Sequence, residues 1–212
     1  MKPPESWQRA RVTIAIAAAT AVAWLAVSAL GAGEAAAWWG GFIPAKASAP
    51  AAGGAAPWLL TPLTATFVHS GFVHLAFNLL ILLFCGRSTE NIIGPAGMAI
   101  LYLLGAYAAA GAQYALDPLD PAPMIGASGA ISAVLGAYSM LFGRHRLKVA
   151  NATAALWLNA LWLAAAWIVL QLVVGFTYEI RGAPIAIAAH VGGFIAGLVL
   201  AKPLLLLRYR GA

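Results

Sequence analysis

From Val12 to Leu30 the chain runs for 19 residues without a charged side chain, and five further apolar stretches follow at about 63–85, 95–116, 128–143, 153–175 and 184–207. About 20 apolar residues in a helix are enough to cross a hydrocarbon core of about 30 Å. Inside that core the backbone must satisfy its own hydrogen bonds, which leaves helices and closed barrels. The runs are too long for strands, so the chain is predicted to be an all-α membrane protein of six transmembrane helices, one domain over 1–212. Only 8% of its residues are charged, against about 25% in a soluble domain.

The links between the runs orient the bundle. Lys2, Arg9, Arg11, Arg87, Arg144, Arg146, Lys148, Lys202, Arg208 and Arg210 fall on one side of a six-span arrangement, and Lys46 and Arg181 on the other. Basic residues concentrate on the cytoplasmic side of a membrane, so both termini are expected there, in a bacterial-type plasma membrane. The first run exceeds the roughly 7–15 residues of a signal-peptide core and reads as a retained helix. The net charge of +6 is gathered in these short links, with no aromatic-interleaved basic face for nucleic acid. Cys85 is the single cysteine, which excludes an internal disulfide and a thiolate metal cluster. Residues 31–62 form a long connection whose Trp38-Trp39 pair suits the membrane–water interface.

The fourth helix is the unusual one. Asp117-Pro118-Leu119-Asp120-Pro121-Ala122-Pro123 cannot continue a membrane helix, so the next begins near Gly126-Ala127-Ser128-Gly129 and ends about Gly143. Sixteen residues span about 24 Å, less than the apolar core. Ser128 is then expected below the outer surface, at a helix start whose free N–H groups and positive dipole end suit an oxyanion. The extended backbone before it needs cover from protein or water.

Two other polar sets lie within apolar runs. His74 and Asn78 are spaced i, i+4 and share a face; alone, such a pair can simply bond helices together. His69 precedes them, on another face or in the loop, as a supporting or interfacial group. His190 is followed by Gly193 and Gly197 on a similar face, a stripe that permits close helix approach. Ser128, Ser132 and Gly136 form a matching stripe, and packing the two would bring His190 to Ser128. A hydroxyl becomes a nucleophile when an adjacent base takes its proton, and the resulting intermediate needs donors aimed at its oxyanion. All six acidic residues are read as lying in loops or at the N-terminus, so the machinery expected is a Ser–His dyad. There is no His-Glu-x-x-His zinc motif, and no metal is expected.

The order His74-x-x-x-Asn78, Gly126-x-Ser128-Gly129 and Ala189-His190-x-x-Gly193-x-x-x-Gly197 resembles the rhomboid family of intramembrane serine proteases over about residues 58–201. The resemblance implies a rhomboid-like bundle, Ser128 as nucleophile and His190 as general base and then acid. It also implies an oxyanion hole of His74, Asn78 and the Ser128 N–H, no cofactor, and transmembrane protein substrates cut near their outer ends. It makes the fifth helix, with Trp157, Trp162 and Trp167, and Phe176–Tyr178 candidates for a gate. Two departures stand out: Trp58-Leu59-Leu60-Thr61 lacks the arginine many members carry after the tryptophan, and Ser132 occupies a place where bacterial relatives often hold a tyrosine against the histidine. The competing readings are a catalytically silent relative that binds transmembrane clients, and a small transporter. A transporter would favour repeat symmetry between halves, and the two halves share no motif.

Overall fold

The computed structural model describes residues 6–48, 56–142, 151–179 and 186–210, and among these the architecture is all-helical. The first apolar run forms α1 (Arg11–Ala29). Two short helices, α2 (Gly33–Gly40) and α3 (Pro44–Ser48), lie within the long connection read at 31–62. After α4 (Thr61–Thr64) and a 3-10 turn at Ala65–Phe67, the chain extends and re-enters α5 (Phe72–Ile81). The apolar stretch at 63–85 is therefore not one helix. Gly71, with φ 175° and ψ 174°, is fully extended, and the break puts His69 off the helix that carries His74 and Asn78.

A π-helical turn at Leu82–Gly86 leads straight into α6 (Arg87–Leu116). The segment 86–94, expected as a polar link, is helical up to Gly94. There φ reaches +80° ahead of Pro95 and the axis kinks, a conformation open to glycine at no steric cost. What sustains helix here is the set of protein partners found by Glu90 and by the carbonyls of Glu90 and Asn91. Glu90 is completely buried. Its carboxylate accepts from Val12 N at 2.9 Å, and from Thr13 N and Thr13 Oγ1 at 2.7 Å each. These are the donors that the first turn of α1 leaves unpaired. Arg208 in turn donates to the carbonyls of Glu90 and Asn91. Glu90 thus corrects the expectation that every acidic residue lies in a loop.

The last three helices are α7 (Ser128–Phe142), α8 (Ala152–Glu179) and α9 (Ile187–Arg208). Lys2, Gly143, the basic link Arg144–Lys148, Arg181 and Pro184 lie outside the described residues, as do the side chains of Phe176–Tyr178. Packing is densest among α6, α7 and α9. Helix α7 is the centre of this layer, with every residue buried except Met140 and Leu141. Glycines bring α9 onto it. A β-carbon on Gly193 would run into the Gly129 carbonyl, one on Gly197 into the Ala133 carbonyl, and one on Gly136 into the Phe194 carbonyl. Gly129 itself turns its Cα toward Ala109 of α6. Its absent side chain makes room for α6, while its carbonyl faces Gly193 of α9.

The outer surface is apolar: Val22 and Leu25 of α1, Leu161 and Trp162 of α8, and Ile195 and Val199 of α9 are exposed. Inside are alanine, glycine and a set of buried hydroxyl, amide and imidazole groups. This is the distribution a lipid solvent selects, since helices there associate through small residues and internal hydrogen bonds. Among the described residues three stretches, Arg11–Ala29, Phe72–Leu116 and Ile187–Arg208, are long and apolar enough to cross a membrane.

Candidate active site

The site forms where α7 begins. Asp117 and Asp120 accept from the backbone N–H groups two residues on, Leu119 and Ala122, the local bonding that makes aspartate a turn former. The extended strand that follows pairs with the segment between α2 and α3: Phe42 N–H donates to Met124 O at 3.0 Å, and Met124 N–H to Phe42 O at 2.8 Å. Gly126 N–H donates to Ala65 O at 2.9 Å. Gly126 has φ +108°, and any β-carbon there would strike the His74 ring. Only glycine allows the backbone to turn into α7 while lying flat against that imidazole.

Ser128 and His190, 62 residues apart in sequence, meet with Oγ and Nε2 2.7 Å apart, both side chains buried. An imidazole nitrogen that accepts from a serine hydroxyl is the arrangement that can remove its proton. Ser128 is also the first residue of α7, so its N–H and the next two have no partner within the helix. The aligned peptides place positive potential at the same point.

His74 lies on the Gly126 side of this turn. Its Nδ1 is 3.1 Å from Ser70 Oγ, and its ring centroid is 4.9 Å from that of His69. His69 is buried and takes the Ala127 N–H on its Nε2 at 3.4 Å, so it steadies the approach to α7. Asn78 is buried one turn beyond His74 and donates an amide hydrogen to the His74 carbonyl at 2.7 Å. Its side-chain oxygen has no hydrogen-bond partner among the described residues. No group of histidine, cysteine, aspartate and glutamate there could hold a metal ion. Glu90, the buried carboxylate, is engaged by α1 and is not a third member for the Ser128–His190 pair.

One residue read only as a gate candidate reaches the site. Trp167 of α8 is buried, donates its indole N–H to Ser132 Oγ at 2.6 Å, and meets the His190 ring edge-on at 6.2 Å between centroids. Trp157 and Trp162 of the same helix are exposed. Trp167 shares its face with buried Ala155, Asn159 and Ala160, and the polar Asn159 two turns earlier is the sequence signal that could have marked that face. The segment lacking an arginine is tied down by other groups. Tyr107 Oη donates to Leu59 O and Thr61 Oγ1 to Trp58 O, both at 2.7 Å, and Thr64 Oγ1 to Gly40 O at 2.6 Å.

Comparison with known proteins bears on the same residues. The Rhomboid domain family matches residues 57–207. The chain is 31% identical over 146 residues to rhomboid protease GluP of Bacillus subtilis, covering 69% of this chain and 25% of that protein. It is 30% identical over 145 residues to RHOMBOID-like protein 5 of Arabidopsis thaliana, covering 68% and 43%. It is 30% identical over 135 residues to rhomboid protease GlpG of Serratia proteamaculans, covering 64% and 44%. The chain thus spans between a quarter and somewhat under half the length of these relatives. The matched region holds the kinked α5–α6 stretch, the serine at the start of α7 and the glycine-flanked histidine of α9. By these residues and this packing the chain is an integral membrane protein that belongs to the rhomboid family.

Proposed function

We propose that this chain is an intramembrane serine endopeptidase that cuts transmembrane segments of other proteins with a Ser128–His190 dyad. The observation that carries the reading is the 2.7 Å contact between Ser128 Oγ and His190 Nε2, buried and built from two separate helices. His190 Nε2 takes the hydroxyl proton as Oγ attacks the scissile carbonyl. The oxyanion so formed is met by the Ser128 N–H, the second amide hydrogen of Asn78, and His74. Collapse expels the amine, which receives the proton from His190, and water then releases the acyl group by the same steps in reverse. The chemistry requires no cofactor.

In this reading the chain is a single domain of six crossings in a plasma membrane, with both termini cytoplasmic. The apolar stretch bent at Gly94 is 45 residues long, about 67 Å of helix and enough for two crossings. Helix α7, at 15 residues and about 22 Å, begins within the bilayer's depth, so a substrate backbone must be unwound to reach Ser128.

The test is reaction with a fluorophosphonate probe in detergent, alongside cleavage of a tagged transmembrane substrate. Wild type is expected to label and cleave, and Ser128→Ala and His190→Ala to do neither. A folded wild type that stays unlabelled, or a Ser128→Ala protein that labels equally, would falsify the dyad. A folded wild type that neither labels nor cleaves, yet captures a transmembrane segment, would support a silent client-binding relative.

A further inference from the structure

The dyad leaves open what sets the plane of the His190 ring, since position 132 holds a serine where a stacking aromatic would stand. We infer that Trp167 is the positioning residue for His190 and that Ser132 anchors it; this rests on the dyad reading above. The direction of the hydrogen bonds is fixed by chemistry. An indole N–H can only donate, so Ser132 Oγ accepts from Trp167 at 2.6 Å and gives its own proton to the Ser128 carbonyl at 2.7 Å. Ser132 Oγ thus relays between the indole donor and the carbonyl acceptor, and all three residues are buried. The indole is therefore locked to the first turn of α7, the turn that carries Ser128.

From that position the indole meets His190 edge-to-face, 6.2 Å between centroids and 68° between planes. Aromatic rings at about 4.5–7 Å prefer this arrangement. The serine and the surface that orients its base thus share one backbone turn, and the relative placement of Oγ and Nε2 depends on Trp167. Trp167 packs into the core on the face of α8 that also buries Ala155, Asn159 and Ala160. Helix α8 exposes Trp157, Leu158, Leu161, Trp162 and Val169, and a tryptophan serving only the lipid face would lie with them.

The test uses Trp167→Phe, Trp167→Leu, Ser132→Ala and the double variant Ser132→Ala/Trp167→Phe in the full chain. Misplacing a reacting group by about 1 Å costs on the order of 10²-fold. Trp167→Leu should therefore lower both kcat and the probe-labelling rate by about 10- to 100-fold, with KM little changed. Trp167→Phe should recover part of this loss, and Ser132→Ala should match Trp167→Phe. The double variant should lose no more than either single change, because both remove one bond. Labelling and cleavage by Trp167→Leu at wild-type rates overturn the inference, as does a loss that disappears wherever the variant is folded. A second readout is independent of activity: the Cε1–H resonance of His190 should carry a ring-current shift that Trp167→Leu abolishes, and an unchanged resonance overturns the inference. A folded wild type that neither labels nor cleaves refutes the dyad instead, and the resonance then still decides the role of Trp167.

Discussion

Substituting Gly193 with alanine tests how the two halves of the dyad are held together. A β-carbon there would fall on the Gly129 carbonyl, with Ser132 Cβ at 3.2 Å. The carbonyl belongs to a buried helix backbone and cannot rotate away as a side-chain end could. Helix α9 must therefore withdraw by about 1 Å, which stretches the Ser128–His190 contact from 2.7 Å to about 3.7 Å, past hydrogen-bonding range. A displacement of that size costs on the order of 10²-fold in rate, or about 2.7 kcal/mol of barrier. Overpacking adds about 1–3 kcal/mol of lost stability. Gly111 of α6 provides the control, because a β-carbon there would meet nothing within 4 Å. Gly111→Ala should leave turnover unchanged and raise stability by about 0.5–1 kcal/mol. Turnover of a tagged substrate, probe labelling and thermal unfolding in one detergent read all three quantities. If Gly193→Ala turns over within about threefold of wild type while folded, the reasoning from misplacement is wrong.

Three further outcomes follow from the same geometry. Glu90→Ala strands the Val12 and Thr13 donors that the carboxylate now accepts. It should cost about 1–3 kcal/mol for each donor left buried and unpaired, with Glu90→Gln intermediate, read as unfolding in detergent; an unaltered midpoint for Glu90→Ala would show that the cap contributes nothing. Asn78→Ala should slow turnover by about 10²–10³-fold without abolishing it, the effect of one missing oxyanion donor, and an unaffected rate would remove Asn78 from the site. Gly126→Ala combines φ +108° with collision into the His74 ring. Strain of about 1–3 kcal/mol at the start of α7 should depress labelling and stability together, and normal labelling would show that the turn has another accessible conformation.

How much of this was legible in the sequence depended on the range of each interaction. The stripes of α7 and α9 were legible because helical spacing sets which residues share a face, and small residues there have few uses besides close packing. Ser128 and His190 could be paired from that pattern before any coordinates. The local turn at Asp117–Pro123 was legible for the same reason, since its signals are all short-range. Segment 86–94 misled because Arg87, Glu90 and Asn91 resemble a solvated link. The feature that makes them helical is the open end of α1, 77 residues from Glu90 along the chain. Trp167 was hidden similarly. Helical spacing puts it on one face with Ala155, Asn159 and Ala160, but the acceptor of its N–H lies on another helix.

The same distinction explains why Ser128 can lie where it does. In the proposed reading the loop before α7 lies at membrane depth, where an extended backbone needs partners for its peptide groups, and it draws them from remote parts of the chain. Met124 is paired by Phe42, Asp120 O by Ala45 N–H, Gly126 N–H by Ala65 O, and Ala127 N–H by His69. Helices α2 and α3 and the turn at 65–69 therefore form the floor on which the site rests, although none of α2, α3 or that turn bears the dyad. The Phe42–Met124 ladder is made of main-chain groups, so it places few demands on residue type and leaves little trace in the sequence. What the sequence does record is glycine at 126, the one point where the loop must take positive φ and lie against His74. The start of α7, and with it the reach between Ser128 and His190, is set by this remote backbone pairing together with that single glycine.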